Sequence, residues 1–307
     1  MFMMVKPSKR RPWFRDPRKR RDRLTAFFFL LPSLCIFSVF VYYALGFNVY
    51  LSLTSWNFIS PTKAYVGFRN FTDMWADPRF WNVVRNTTAY AVATVSLAAI
   101  CGLGLALLLN QRVIGRGVFR TLIFSPYITT VAAISLVWVW IFDPTFGLFN
   151  YLLSLIGIAG PRWLTDTSWA LPALIIMEVW RVSGYTMVIF LAGLTAIPRE
   201  YYEAAAIDGA NQWHCFWRIT LPLLSPTTFF IIVTTLLTAF QVFDQVAVMT
   251  LGGPVDATKV FNFYIYEQAF ITFRAGYAAA VSLVLFLLLL ALTIVQVRLG
   301  KYWVEYQ

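Results

Sequence analysis

Six long apolar segments, separated by polar stretches, limit what this chain can fold into. They lie near residues 24–53, 87–109, 118–142, 169–194, 226–250 and 277–298. A helix needs about 20 mainly apolar residues to cross the hydrocarbon core of a bilayer. Only 13% of the residues are charged, whereas a soluble domain of this size carries about 25%. The sequence therefore predicts an all-α polytopic membrane protein with six transmembrane helices.

The basic residues predict the orientation of these spans. An even number of spans places both termini on one side of the membrane. With the amino terminus inside, seventeen Lys and Arg fall in the inner segments and seven in the outer ones. Because cytoplasmic segments carry the excess of Lys and Arg, we expect both termini and the polar loop at residues 195–225 to be cytoplasmic.

The formal net charge of +11 arises largely from the amino-terminal tail. Such a tail next to a span is attracted to the anionic cytoplasmic leaflet, by about 1 kcal/mol per basic residue, so membrane lipid is the expected partner and nucleic acid is not. We divide the chain into a basic cytoplasmic tail (1–23), a six-span domain (24–298) and a cytoplasmic carboxy-terminal tail (299–307). The first apolar segment lacks a convincing signal cleavage site and is interpreted as a retained span.

The polar loop contains the sequence Glu-Ala-Ala-Ala-Ile-Asp-Gly-Ala-Asn at residues 203–211. Good helix formers precede Gly209, which can adopt the left-handed conformation that ends a helix. Asn211 is a suitable N-cap for a second helix. We expect Pro222 to end that helix by forcing Leu221 out of the helical region. The pattern predicts a helix-turn-helix between two spans.

This loop resembles the Glu-Ala-Ala loop of bacterial ATP-binding-cassette importer permeases, in the Glu-Ala-Ala block, the Gly six residues after the Glu, and the Ile-x-Leu-Pro ending at residues 219–222. The resemblance implies that a cytoplasmic ATPase docks here, that Glu203 offers it a carboxylate, and that Gly209 helps to transmit motion. The coupling residues implied are Glu203, Ala204, Ala205, Asp208, Gly209 and Ala210. An ordinary surface hairpin is the alternative, since Glu-Ala-Ala occurs in many helices.

Further patterns resemble the carbohydrate-uptake group of these permeases, the maltose/trehalose/glycerol-phosphate type. Residues 66–87 resemble the first outer loop, and residues 243–270, with Gly252-Gly253-Pro254, resemble the exit of the fifth span. The resemblance covers residues 24–298 and implies the type I importer permease fold, a sugar or sugar derivative as cargo, and the first permease of a pair. The chain lacks the extra spans and the large outer insert of the maltose importer's first permease, so that protein's cargo contacts are not carried over.

The resemblance also implies the partners and the location. These are a second homologous permease subunit, two cytoplasmic ATP-binding subunits and an extracytoplasmic solute-binding protein, with alternating access across the bacterial inner membrane. The chain has no G-x-x-x-x-G-K-[ST] loop, so we expect ATP and Mg to bind the partner ATPase and no catalysis here. Three scattered Cys and one His predict neither a metal site nor a disulfide.

Charged residues inside the spans require an explanation, since each costs about 2.5–3.5 kcal/mol at the membrane centre. Glu178 and Arg181 lie three residues apart; they either neutralise one another or line the cargo pathway. Gln241, Asp244 and Gln245 are predicted to share a helical face with Val248. The candidate cargo residues are Glu178, Arg181, Tyr185, Gln241, Asp244 and Gln245. Trp180, Tyr185 and Tyr264 could stack on a sugar ring, although packing is the more frequent role of single aromatic residues in such a chain.

Two other classes remain open from the sequence. An ion-coupled secondary transporter would use buried acidic residues and show inverted repeats, of which we see none. A non-transport membrane docking protein would use the loop as a binding site and the charges in the spans as a self-neutralising pair. Solute exchange by the chain alone distinguishes the first class, and cargo uptake by an assembled complex distinguishes the second.

Overall fold

The computed structural model describes residues 17–111 and 114–303, and these divide into two compact units at Tyr50 and Leu51. The first unit is one long helix that comprises α1 (Pro17–Phe37), a π-helical segment (Ser38–Tyr43) and α2 (Ala44–Ser52), the last of which runs on into the second unit. Its apolar part, Thr25–Ser52, is 28 residues long. At 1.5 Å per residue, that is about 40 Å, enough to cross a bilayer.

The second unit contains a two-stranded antiparallel sheet and thirteen helices in the described part of the chain. In β1 and β2, Thr54 pairs with Tyr65 and Ser55 with Ala64. The elements are β1 (Thr54–Ser55), β2 (Ala64–Tyr65), α3 (Arg69–Ala76), α4 (Pro78–Asn110), α5 (Arg116–Ile128), α6 (Val131–Ile141), α7 (Leu148–Leu155), α8 (Ala170–Ala196), α9 (Arg199–Ile207), α10 (Gln212–Cys215), α11 (Leu221–Leu223), α12 (Ser225–Phe240), α13 (Asp244–Met249), α14 (Phe261–Tyr266) and α15 (Ala275–Trp303). Phe216–Thr220 and Glu267–Ile271 are π-helical.

Two of the six predicted segments are not single straight helices. Within 118–142, α5 and α6 meet at 101°, and within 226–250, α12 ends at Phe240 and α13 begins at Asp244. The helix before α12 meets α12 at 59°, at Leu224, which precedes the fifth segment. The first break follows from two consecutive extended residues, Thr129 (ψ 146°) and Thr130 (ψ 127°). Among the described residues, four helices are long and apolar enough to cross a membrane, or up to six if each bent pair forms one span.

Pro222 does not end the second helix of the loop, contrary to expectation. Leu221 keeps helical angles (φ −63°, ψ −46°), and one helix runs from Gln212 through Pro222 to Leu223. The chain bends two residues later, at Leu224 (φ −84°, ψ −3°), immediately before Ser225 begins α12.

The predicted polar face of Gln241, Asp244 and Gln245 was also wrong, because no single helix carries all three. α12 ends at Phe240, and Phe243 has non-helical angles (φ −144°, ψ −57°) before α13 begins. The carbonyl of Gln241 instead accepts a hydrogen bond of 2.6 Å from Asn262 Nδ2, which replaces the partner that a continuing helix would supply. Gln241 and Asp244 are exposed, whereas Gln245 is buried.

The packing of α4 on α8 forms the centre of the second unit. Thr186 Oγ1 donates to the carbonyl of Ala98 at 2.8 Å, and a Cβ at Gly102 would overlap Thr186. Ala106 of α4 and Leu194 of α8 lie in the same apolar cluster, so the two helices run in the same direction. Their carboxyl ends, and with them the polar loop, therefore lie at one end of the unit.

Candidate functional site

The polar loop is the predicted helix-turn-helix, and its turn is closed by backbone hydrogen bonds. Gly209 has φ +76°, as expected for the residue that ends α9. The N–H of Gly209 donates to the carbonyl of Ala206 and the N–H of Ala210 to that of Ala205, at 3.1 and 2.9 Å. These two bonds form a Schellman motif, which satisfies the last carbonyls of the helix. Ala205 and Ala210 thus hold the turn through their backbone groups.

The second helix of the loop begins at its predicted cap. Asn211 Oδ1 accepts a hydrogen bond of 2.9 Å from the backbone N–H of His214. The hydroxyls of Tyr202 and Thr220 lie 3.0 Å apart, which ties α9 to the residues that lead into α12. The loop is therefore attached to the spans on both sides.

One face of α9 and its turn is exposed. Glu203, Ala204, Asp208 and Gly209 are exposed, and the side chain of Ile207 is 87% exposed. Small alanine side chains allow close approach of another protein, and the carboxylates can accept hydrogen bonds from Arg or Lys. The predicted coupling residues thus form one continuous segment, with four of the six on its exposed surface.

A buried ion pair lies within α8. Arg181 Nε donates to Glu178 Oε2 at 2.9 Å and Arg181 Nη2 to Glu178 Oε1 at 2.7 Å. Glu178 is 4% exposed and Arg181 7%. Gln245 Nε2 donates to Glu178 Oε2 at 3.2 Å and to Tyr90 Oη at 2.7 Å. The pair is therefore neutralised in place, and it joins α4, α8 and α13 through hydrogen bonds.

A cavity of about 40 Å³ lies beside this ion pair, between α4, α5, α8 and α12. The Arg181 guanidinium lies 5.4 Å from the centroid of the Tyr127 ring, which stacks on Tyr185 at 4.6 Å. Thr235 Oγ1 is buried there and has no hydrogen-bond partner among the described residues. Buried polar atoms are normally satisfied by protein, water or ligand. At this volume the cavity holds about one water molecule, and its lining is hydroxyl, charged and aromatic.

The structure brings together four of the six predicted cargo residues. Glu178, Arg181 and Tyr185 line the cavity, and Gln245 holds Glu178. Gln241 and Asp244 do not line it. Sequence reasoning missed its other walls, namely Thr94, Tyr127, Thr234, Thr235 and Thr238. Thr94 lies four residues after Tyr90 and Thr238 four after Thr234, so polar residues at helical spacing in apolar spans were the available signal.

Two aromatic residues considered for sugar stacking do not line the cavity and contact other side chains instead. Trp180 packs against Trp138 at 5.4 Å. Tyr264 donates to Asp77 Oδ2 at 2.9 Å and lies 3.0 Å from the Tyr277 hydroxyl, at the end of the unit opposite the polar loop. Burial, followed by the hydrogen bond with Tyr277, raises the pKa of Tyr264 well above its ordinary value. Tyr264 therefore stays protonated and links α14 to the start of α4.

Comparison with known proteins identifies the family. Residues 98–302 match the model of the "Binding-protein-dependent transport system inner membrane component" family. The chain is 34% identical over 288 residues to a probable ABC transporter permease protein of Pyrococcus horikoshii, covering 93% of this chain and 97% of that one. It is 34% identical over 289 residues to the trehalose/maltose transport system permease protein MalF of Thermococcus litoralis, covering 92% and 96%.

A likeness to a solved structure supports the fold. The fold is similar to that of a chain in the crystal structure of a bacterial ABC transporter involved in the import of the acidic polysaccharide alginate, with a TM-score of 0.79 at 23% identity over 94% of this chain and 99% of that one. At that identity the likeness shows the fold alone. The family match and the two relatives extend over most of the chain. The chain therefore belongs to the family of inner-membrane components of binding-protein-dependent transport systems and is a multi-pass permease subunit of an ABC importer.

Proposed function

We propose that this permease carries a sugar or sugar derivative across the bacterial inner membrane by alternating access, as one half of a heterodimer. The names of several relatives support this cargo class: trehalose/maltose, sulfoquinovosyl glycerol and sn-glycerol-3-phosphate transport systems. The lining of the small cavity supports it as well, because hydroxyls, an ion pair and stacked tyrosines can contact a polyol once the surrounding helices move apart during alternating access.

The proposed topology has six spans, in which α5 with α6 form the third and α12 with α13 the fifth, while the helix before α12 belongs to the 195–225 loop. Both termini then lie in the cytoplasm, as does the 195–225 loop. The three parts proposed from the sequence, 1–23, 24–298 and 299–307, correspond to a tail, the permease domain and a second tail. The partners are a second homologous permease, two cytoplasmic ATP-binding subunits that bind ATP and Mg, and a solute-binding protein on the outer side.

The coupling loop connects the ATPases to the cargo cavity through α8. α8 is 27 residues long, about 40 Å, and only Ile197 and Pro198 separate it from α9. Glu178 and Arg181 are the ninth and twelfth residues of this helix. A displacement of α9 by an ATPase is therefore transmitted to the helix that lines the cavity. The exposed Glu203 carboxylate pairs with a basic group on the ATPase, and the Schellman turn at Gly209 keeps the loop in one shape.

The single observation that carries the proposal is the position of the Glu178–Arg181 pair. It is buried, bidentate and adjacent to an unpartnered hydroxyl, that of Thr235. Ionisable residues inside a span commonly mark a substrate path. We therefore propose that the path runs between α4, α5, α8 and α12, the helices around this pair.

Affinity purification of the tagged chain from its native membrane in mild detergent, followed by mass spectrometry, tests the proposed assembly. We expect a second permease and an ATPase to be recovered with it. Glu203→Lys should abolish ATPase recovery, while the control Glu200→Lys, an exposed acidic residue in the first turn of the same helix, should retain it. Recovery of the chain alone, still exchanging solute across liposomes, would instead indicate a secondary transporter.

A further inference from the structure

A second and larger cavity, here called the outer pocket, lies at the end of the unit opposite the coupling loop. Its volume is about 520 Å³, within the range of about 300–1,000 Å³ typical of small-molecule sites. Three segments form it: the residues of the β1–β2 hairpin, α3, and residues 273–277 at the start of α15. In the proposed topology it opens to the outer side of the membrane.

The walls of the outer pocket are fixed in place without a ligand. The side chain of Asn70, on a residue only 9% exposed, donates to the carbonyls of Ser52 and Thr54 at 2.8 and 2.9 Å. The N–H of Gly276 donates to the carbonyl of Trp56 at 3.3 Å. A Cβ at Gly276 would overlap the carbonyl oxygen of Thr54, so only glycine permits this contact. A preformed pocket binds a ligand with little ordering cost.

The lining of the outer pocket carries more positive than negative charge. It contains Arg69 and Arg274 but a single carboxylate, Asp73. Arg69 Nε lies 3.9 Å from Asp73 Oδ2, and both side chains are largely exposed, so this pair neutralises weakly. The ion pairs found among the described residues involve Arg69, Arg79, Arg181 and Lys259 but not Arg274. Instead, the Arg274 guanidinium lies 4.4 Å from the centroid of the Tyr277 ring.

The remaining lining is suited to hydroxyl groups. Ser55, Ser60 and Thr62 contribute three hydroxyls. Asn57 Oδ1 accepts hydrogen bonds from the backbone N–H groups of Ile59 and Ser60, which fixes the loop that carries two of those hydroxyls. A ligand that satisfies both the hydroxyls and the guanidinium groups has several hydroxyls and one anionic group.

We propose that the outer pocket binds a small saccharide that bears one carboxylate or phosphate group, with Arg69 and Arg274 contacting the anionic group. The saccharide class rests on the proposed function. The pocket shares no residue with the Glu178–Arg181 cavity, so it is a separate site where such a molecule binds at the outer mouth of the permease.

The test measures direct binding to the purified permease complex in lipid nanodiscs by saturation-transfer NMR and calorimetry. The probes are glucuronate, glucose 6-phosphate and glucose. We expect one or both acidic probes to bind at least about tenfold more tightly than glucose, because hydrogen bonds to charged groups contribute roughly 10- to 100-fold each. Arg274→Gln and Arg69→Gln should each lower the affinity for the acidic probe by about tenfold. The preferred probe distinguishes a carboxylate from a phosphate ligand.

Arg79→Gln is the matched control, since Arg79 is exposed at the same end, faces Asp256 at 4.0 Å and does not line the pocket. It should leave binding unchanged. Equal binding of all three probes, or acidic binding that survives both pocket variants, overturns the proposal. A loss of binding-protein docking in the pocket variants without any binding of acidic probes also overturns it and assigns the pocket to the binding protein. ATP-driven uptake that persists alongside either result leaves the importer function standing.

Discussion

The buried ion pair in α8 gives the sharpest prediction. Glu178→Gln leaves the Arg181 guanidinium buried without its counter-charge, although the new amide side chain keeps the shape of the original carboxylate. Removal of one partner of a buried pair costs about 3–5 kcal/mol, and Arg181 is 7% exposed with both of its bonds made to Glu178. We therefore expect the free energy of unfolding to fall by about that amount, and transport to be lost.

The double variant Glu178→Met/Arg181→Leu separates stability from transport. Replacement of a buried pair by apolar side chains of similar volume is often neutral or stabilising, and Gln245 keeps its bond to Tyr90. The free energy of unfolding of the double variant should therefore lie within about 1 kcal/mol of the wild-type value. If the pair also serves the cargo pathway, it should still fail to transport, because the cavity has lost its charged wall.

The assays are chemical or thermal unfolding in detergent, followed by intrinsic fluorescence, and cargo uptake by liposomes that contain the assembled complex. Asp73→Asn is the stability control; it breaks an exposed pair with 76% and 48% exposed side chains and should cost no more than about 1 kcal/mol. Wild-type uptake by the stable double variant would show that the pair only neutralises itself. Unchanged stability of Glu178→Gln would refute the energetic argument.

Three further changes test the loop and the helix packing. Gly209→Val places a branched residue at φ +76° and should cost about 1–2 kcal/mol locally, with ATPase stimulation reduced while the chain stays in the membrane; normal stimulation would contradict a role for the turn. Asn211→Ala should destabilise the second loop helix by about 1 kcal/mol, seen as faster amide hydrogen exchange. Gly184→Ala should lower the unfolding midpoint because its Cβ would overlap the carbonyl of Ile123, whereas Gly104→Ala, with open space around it, should not.

The conformation of the polar loop at residues 195–225 was predictable from local backbone chemistry. Gly209 and Asn211 were assigned their conformations from residue type alone, because few other residues suit a left-handed turn or an N-cap. Pro222 was misjudged, because the helix runs through it and the chain bends only at Leu224.

The cavity beside the Glu178–Arg181 pair was only partly predictable because it depends on tertiary packing. Glu178 and Arg181 stood out since charges are rare inside spans. Tyr127 did not, because a single tyrosine in an apolar helix gives no signal until its neighbours are known, whereas the spacing of Thr94 from Tyr90 and of Thr238 from Thr234 gave a weak one. The prediction of a polar face through Gln241 was wrong. The Gln241 carbonyl accepts a hydrogen bond from Asn262, 21 residues later, instead of from a continuing helix. No local pattern in residues 226–250 contains that contact.

The rate of ATP hydrolysis, measured with and without the binding protein, tests whether the 195–225 loop couples the ATPases to this permease. The complex recovered from the native membrane is placed in lipid nanodiscs, and its ATPase rate is measured with and without the cargo-loaded binding protein. We expect loaded binding protein to raise the rate, and Glu203→Lys or Gly209→Val in this chain to remove the increase while Glu200→Lys does not. An ATPase rate that responds to the binding protein equally in all four proteins would contradict the claim that this loop carries the signal.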